Sequence, residues 1–566
     1  MTGASTVVLA AALAVVATVA VVMRPRGAST VDFYLAGRRV GVATNAWAIC
    51  GDYFSAASFL GVAAAVYATG LDGAWYAVGF AAGFVPVLLF VAAPLRRFGE
   101  FSIPDFLGRR LGSETVRLVA VGVVQLVILS YLLPQTVGSG ITWELLVGSG
   151  IAGLDPYATG IVVSTAAVTV LVAFSGMRGT TWTQAVQFLL LLGALIWLAA
   201  TVVAEGFHYG DAVQHISSVP LDNPAGSEGL SPEESALRPG EPAVFGEPGA
   251  RYGGLGQFAL IVTLAMGTAG LPHVMNRYFT APTGTAARTT TVWVLALAGI
   301  FYSLAVMLGT AARELIPGAV AGRPWLADLT VDGVLQVPEH ALPVLGRIYG
   351  GDTGLGVVAA GALVAVLSTI AGLLLAAAAS WGHDVYERHI NPRATQRQAV
   401  LAGRVTTLAT ACAAAGLGLA MRPETFAAAT PSIVATMVTW AFAVAGSALT
   451  PVFILAIWWR RTTAAGAVAG MLTGVVVAVA LFVVGSIASG GLLREVLVTP
   501  TLLAAPVAVT VAVLVSRRTR PPGDVERSWL IMHGTAADRR TERLARLMVA
   551  EHRRRGPSSW IRRARG

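Results

Sequence analysis

Two stretches of this chain combine glycines and small polar residues in a way that could replace the hydration shell of an ion or a small acid. The first is AICGDYFSAASFLG, Ala48 to Gly61, and the second, about 215 residues further on, is AMGTAGLPHVMNRYF, Ala265 to Phe279. Both interrupt apolar runs long enough to cross a bilayer. In hydrocarbon an unpaired backbone group costs several kcal/mol, so a broken helix survives only when it is packed in protein or lines a cavity. Paired breaks of this kind point to a secondary transporter, in which half-helix ends gather near the membrane midplane. Half-helix N-termini present free N–H groups and partial positive charge, which suits a carboxylate. Unwound carbonyls and hydroxyls suit a hard cation.

The hydroxyls of Tyr53, Ser55, Ser58 and Thr268, with the backbone at Gly270, are therefore the expected cage for an acid. Phe54, Phe59 and Leu271 supply bulk that leaves room only for a small one. Asp52 is the only carboxylate deep in the first break, and three roles are open to it. It can pair with a buried cationic group or backbone amides to hold the break, touch the coupling ion, or carry a proton. His273, just after the second break, either titrates or hydrogen-bonds a neighbouring helix. Gln135 and Ser139 read first as helix-packing groups and second as substrate contacts.

These residues need helices to position them, and the composition supplies little else. Hydrophobic residues make up 55% of the 566, charged residues only 12%, and the mean hydropathy is +0.70, which describes a polytopic membrane protein. Apolar windows of at least about 18 residues predict an all-α protein with about thirteen spans. They fall near 6–23, 43–69, 73–95, 118–148, 156–175, 181–204, 254–276, 287–315, 353–382, 400–421, 427–459, 464–486 and 498–515. The run 427–459 holds Pro431 and Pro451 and reads as one kinked helix or two short ones. Taken as one, it sets Arg24, Arg26, Arg38, Arg39, Arg96, Arg97, Arg109, Arg110, Arg178, Arg277, Arg288, Arg388, Arg393, Arg397, Arg460 and Arg461 on one side. The positive-inside rule makes that side cytoplasmic, with the N-terminus outside and the C-terminal tail inside.

The chain has no lysine, which excludes Schiff-base and P-loop lysine chemistry. Cys50 and Cys412 both lie in expected spans, so neither a disulfide nor a thiolate metal site is indicated. The first helix lacks a basic start and reads as a retained anchor. Residues 205–253, rich in proline, glycine and acids, read as a solvated outer loop. The segment 517–566 carries fourteen arginines against five acids and reads as a cytoplasmic tail facing anionic lipid headgroups, or as a regulatory tail. Within it, TERLARLMVAEHRRR predicts a short basic amphipathic helix. No nucleic-acid module is present in the pattern, and no nucleophile and base set or paired metal-ligand motif indicates an enzyme.

Six motifs, in order, resemble the sodium/solute symporters, and the acetate or short-chain monocarboxylate permease branch in particular. They are DFYLAGR at 32–38, GDYFSAASFLG at 51–61, GLDGAWYAVGF at 70–80, TTWTQAVQ at 180–187, GTAGLPHVMNRYFT at 267–280 and WGHDVY at 381–386. The resemblance implies a core of two inverted five-helix repeats, 43–204 and 254–459, with discontinuous first and sixth core helices. Residues 1–42 and 460–516 would then carry three peripheral helices. It also implies cell-membrane symport of a small monocarboxylate such as acetate, propionate or pyruvate, with a co-transported sodium ion and no other cofactor. The implied sodium ligands are the carbonyls of Gly51 and Phe54, opposed by the Ala365 carbonyl and the hydroxyls of Ser368 and Thr369. Offsets of three and four set Ala365, Ser368 and Thr369 on one helical face; the other use for those hydroxyls is bonding within their own helix. Where sodium-dependent sugar and proline carriers often have an aspartate after Trp-Thr, this chain has Gln184, which speaks against a second sodium or an acid-lined exit. Proton coupling through Asp52 is one alternative, and a transporter-like sensor acting through the tail is another.

Overall fold

The computed structural model describes residues 3–23, 29–99, 101–219, 244–247, 253–422, 433–487, 491–535 and 540. Ten helices among them are long and apolar enough to cross a membrane, and the bent pair Gly254–Gly270 and Pro272–Thr280 makes an eleventh. The protein is a helical, polytopic membrane protein. Two of the helical runs each cover two of the expected spans. Ala57–Phe98 takes in the second half of 43–69 and all of 73–95, and Pro156–Ala204 takes in 156–175 and 181–204. A straight helix of 49 residues would be about 74 Å long at about 1.5 Å per residue, more than twice the hydrocarbon thickness. The run is not straight. Gly176 sits at φ 53° and ψ −164°, a left-handed setting that breaks the helix there. The ring of Phe33 fills the place where a Cβ would be, 2.8 Å away. Gly70, at φ 64° and ψ −143°, does the same between 57–69 and 74–98.

The run 433–458 is continuous, with a π-turn at Ala445–Leu449 directly before Pro451. The bulge absorbs the helix bond that proline cannot make, so this is one distorted helix; Pro431 lies outside the described residues. The all-helical expectation needs one small correction. Thr330–Val331 pairs with Val334–Leu335 as an antiparallel hairpin. Its two turn residues, Asp332 and Gly333, both have positive φ, the backbone that two-residue hairpins favour. The Leu335 N–H donates to the Tyr67 hydroxyl at 2.9 Å, which docks the hairpin on the first broken helix.

Burial ranks the helices. In the Pro338–Ile390 run 94% of the best apolar window is enclosed, against 22% for Ala4–Val22 and 28% for Ala464–Ile487. The enclosed run is built largely of Gly, Ala, Leu and Val between Gly354 and Ala379, small residues that let neighbouring backbones approach closely. It stands at the centre with both broken helices. The outer loop is not wholly solvated. Tyr209–Ile216 forms a helix, and Phe245 and Ile216 bury against Val66 because their apolar side chains find cover there. The rest of that loop's acids, Asp222 to Glu241, and the expected amphipathic helix of the tail lie outside the described residues.

Candidate functional site

The first helix half, Val42–Tyr53, ends where Phe54 leaves helical geometry at φ −78° and ψ 78°. The Phe54 N–H still reaches the Cys50 carbonyl at 2.8 Å, and the Ser55 N–H turns back to Tyr53 at 2.9 Å. The Ala56 N–H is satisfied from another helix, donating to Gln135 Oε1 at 3.3 Å. Helix resumes through a π-turn at Ala57–Gly61. The second break is sharper. Leu271 adopts φ −70° and ψ 116°, and Pro272 opens the second half at its first position, where a missing N–H costs nothing. The halves are bent by 44°.

The two breaks touch. The Tyr53 hydroxyl lies 2.7 Å from Thr268 Oγ1 and donates to the Phe80 carbonyl at 3.0 Å. Ser55 Oγ accepts from the Tyr131 hydroxyl at 3.5 Å, while Ser58 Oγ pairs with the Tyr302 hydroxyl at 2.9 Å. Gly270 packs so tightly on the Ala445 carbonyl that an added Cβ would lie 2.6 Å from it. Of the five residues expected to hold an acid, Tyr53 and Thr268 are therefore in contact, Ser55 is next to Tyr131, and Ser58 is turned to Tyr302. Rings of Tyr53, Phe54, Phe80, Phe84, Tyr302 and Phe442 pack around them edge to face or stacked.

On the other side of the first half-helix stand the residues expected to meet a cation. The Thr369 hydroxyl donates to the Asp52 carbonyl at 2.8 Å, a position between the expected carbonyls of Gly51 and Phe54. Ser368 Oγ is fully buried and has no hydrogen-bond partner among the described residues. The Ser368 carbonyl accepts from Gln184 Nε2 at 2.8 Å. Gly51 faces the Gln184 backbone so closely that a Cβ would lie 2.2 Å from its carbonyl oxygen. Ala365 is buried one turn away.

Arg277 is the residue that sequence reasoning missed at this site. Counted among the surface arginines of one membrane side, it is instead 1% exposed, and its Nε donates to Asp52 Oδ2 at 3.1 Å. Its other nitrogens donate to Thr181 Oγ1 at 2.8 Å, to Met177 Sδ at 2.9 Å and to Gln184 Oε1. Asn45 Nδ2 donates to the Arg277 carbonyl at 3.2 Å and locks its backbone. The signal was available: a lone deep carboxylate needs a partner, and Arg277 follows His273 by one turn on the half-helix after the second break. A cavity of about 620 Å³, lined by Asp32, Arg39, Arg178, Thr181 and Trp182 among others, reaches this cluster through Thr181.

A second buried polar cluster joins Asp105, His383 and Asp384, the last two from the WGHDVY motif. His383 Nδ1 lies 2.9 Å from Asp384 Oδ1. Ser102 donates to Asp384, and Arg117 and the Phe101 N–H face Asp105. The three offer ligand atoms of the right kind for a metal; Asp105 Oδ1 has no hydrogen-bond partner among the described residues, and the cluster ties the Ile103–Leu111 helix to the end of the central one.

Residues 33–474 match the sodium:solute symporter family. The chain belongs to that family. Among its relatives is a monocarboxylic acid transporter of Corynebacterium glutamicum, 33% identical over 488 residues, which span 84% of this chain and 83% of the relative. An uncharacterised symporter of Bacillus subtilis strain 168, YwcA, is 31% identical over 458 residues, 81% of each. The symporter's fold resembles the substrate-bound, outward-open structure of a sodium-coupled sialic acid symporter. That likeness has a TM-score of 0.68 at 15% identity and covers 91% of this chain and 98% of the other. A closed nucleobase-cation-symport-1 transporter with bromovinylhydantoin bound matches with a TM-score of 0.50 at 14% identity, covering 90% and 100%. At such identities these two establish the fold alone. The family in turn makes this a secondary active carrier.

Proposed function

We propose that this symporter couples sodium to the uptake of a small monocarboxylate by alternating access across the cell membrane. The observation that carries the sodium part is the Ser368 and Thr369 hydroxyl pair at the end of the first half-helix: Thr369 Oγ1 donates to the Asp52 carbonyl, and Ser368 Oγ is buried with no partner among the described residues. A buried hydroxyl without a partner costs about 1–3 kcal/mol, and a cargo cation is the ligand that an oxygen set of this kind suits. Ala365 and the carbonyls around Gly51 to Phe54 complete the set. The printed name of the Corynebacterium relative and the close-set aromatic rings at the breaks support a small acid. Thirteen crossings follow when Ala57–Phe98 and Pro156–Ala204 are each divided at their left-handed glycine, Gly70 and Gly176, and the bent pair counts once. That count agrees with inverted repeats at 43–204 and 254–459 and with an outside N-terminus and a cytoplasmic tail. One sodium with one monocarboxylate moves no net charge, so such a carrier draws on concentration gradients alone, whereas a second cation would add about 2.3 kcal/mol per 100 mV.

Labelled acetate uptake into proteoliposomes, under an inward sodium gradient at equal pH, tests the reading. The native chain is expected to accumulate acetate above equilibrium. Ser368→Ala is expected to raise the half-activating sodium concentration by about tenfold or more, the loss of one charge-assisted contact of about 1.5–3 kcal/mol. Accumulation driven only by a proton gradient would overturn the sodium site and favour coupling through Asp52. No flux of any small acid under either gradient would favour a sensor acting through the tail.

A further inference from the structure

Two buried polar groups beside the breaks are left without partners among the described residues, and Tyr131 links them in the fold. Gln135 is fully buried in the Glu114–Leu146 helix. Its Oε1 accepts the Ala56 N–H at 3.3 Å, which fixes the amide orientation and leaves Nε2, a double donor, without a partner among the described residues. His273 is 2% exposed in the first turn of Pro272–Thr280, and neither ring nitrogen has a partner there. Tyr131 connects them. Its ring meets that of His273 at 5.3 Å, its hydroxyl reaches Ser55, and it precedes Gln135 by four residues on the same helical face.

We infer that Gln135 and His273 hold the carboxylate of the transported acid, an assignment that rests on the monocarboxylate reading above. Buried polar groups are paired in more than about nine cases in ten, so two orphans beside one tyrosine mark a place that a ligand fills. The chemistry of the orphans selects the ligand. Gln135 Nε2 can only donate, and a neutral imidazole adds one N–H donor. A group that accepts on two oxygens satisfies both, and a carboxylate does so with lone pairs to spare. A primary or quaternary amine would satisfy neither donor. The N-terminus of the second half-helix adds partial positive charge at His273. Next to this polar pair, Phe442 lies 5.6 Å from Tyr131 and 5.3 Å from Phe80 between ring centres, so the acid's tail meets aromatic surface and is held short. The helix-packing role expected of Gln135 is only half of what it does: its oxygen supports the break, and its nitrogen faces the ligand.

The test uses the full chain, purified in detergent and in proteoliposomes, with acetate, propionate and pyruvate as probes. Thermal stabilisation by sodium alone and by each acid is measured beside the KM of uptake. Gln135→Glu keeps the acceptor for Ala56 N–H but sets a negative charge against the acid. It is expected to lose acid-induced stabilisation and to raise KM by a hundredfold or more. Gln135→Met and His273→Leu are expected to raise KM by ten- to a hundredfold. All three should keep the sodium response. Acid responses equal to the native chain's in these variants would overturn the assignment while leaving the monocarboxylate reading intact. Loss of the sodium response together with the acid response, in both Gln135 variants or in His273→Leu, would mark that side chain as structural and overturn its role. A native chain that responds to none of the three acids would remove the monocarboxylate reading and this assignment with it.

Discussion

Arg277→Ala is expected to abolish transport and to lower the unfolding free energy by about 3–5 kcal/mol, the cost of leaving one partner of a buried ion pair behind. Asp52 and Arg277 are 0% and 1% exposed, so solvent and salt screen the pair little. The guanidinium also fills a specific fork. One nitrogen meets Asp52, a second Thr181 and Met177, and a third Gln184, which in turn holds the Ser368 carbonyl. Removing it releases four helical segments at once: the first half-helix, the second half-helix, the stretch after Gly176 and the central helix. A lysine is a point charge without the planar fork, so Arg277→Lys should restore part of the stability and little of the transport.

The double variant Asp52→Ala with Arg277→Ala separates the pair's own contribution from the penalty of orphaning one charge. If the pair is the main partner of each residue, the double variant should be more stable than Arg277→Ala alone by about 2 kcal/mol or more, the upper range of coupling energies for contacting residues. It should still fail to transport, because the Asp52 backbone and the Gln184 bridge would no longer be held in register with Ser368 and Thr369. Reversible unfolding in detergent gives the stability, and proteoliposome uptake the activity. An Arg277→Ala protein that folds and transports like the native one would refute the role of the pair.

The breaks were legible in the sequence because hydropathy leaves so few explanations for Gly-Asp-Tyr or Gly-Leu-Pro inside a membrane span. Both breaks are found where those residues lie, at Phe54 and at Leu271. The sequence divides the long Pro156–Ala204 run into spans at 156–175 and 181–204, and the backbone places the left-handed Gly176 in the gap between them. What the sequence could not supply was pairing across distance. Asp52 and Arg277 are 225 positions apart, and charge counting alone assigns an arginine at the end of an apolar run to the membrane surface. Gln184 was noticed for the aspartate it replaces, not for the bridge it makes between Arg277 and the Ser368 carbonyl. His273 was weighed as a titrating group or a helix-packing one, and neither choice could anticipate a ring with both nitrogens unpaired among the described residues. Type and spacing select candidates; only packing decides which polar atoms are satisfied.

Packing also sets the other large effect, at two glycines where helices meet without room for a methyl group. A Cβ on Gly372 would lie 1.8 Å from Asp52 Oδ1 and 2.5 Å from its Cγ, and one on Gly51 would lie 2.2 Å from the Gln184 carbonyl oxygen. Contacts this short cannot persist, so something must move by more than an ångström. At Gly51 the obstacle is backbone, and the first half-helix and the Gln184 helix would have to separate. Overpacking of this kind costs about 1–3 kcal/mol and more where the neighbours cannot yield. Gly51→Ala is therefore expected to cut uptake below a tenth of native by disfavouring this arrangement of the two helices. The sodium-induced thermal shift should change with it, because the carbonyls proposed to meet the cation lie on the same turn. At Gly372 the obstacle is a side chain tethered by Arg277, so Gly372→Ala should act by breaking the ion pair and should resemble Arg277→Ala in stability and in transport. Adding Asp52→Ala and Arg277→Ala together to Gly372→Ala removes the colliding atoms without orphaning a buried charge and should recover about 1–2 kcal/mol of the lost stability, a coupling of the size found between contacting residues, without restoring uptake. If Gly372→Ala is tolerated, or if removing Asp52 and Arg277 together gives no recovery in its presence, the close approach of the central helix to Asp52 is not what holds this site together.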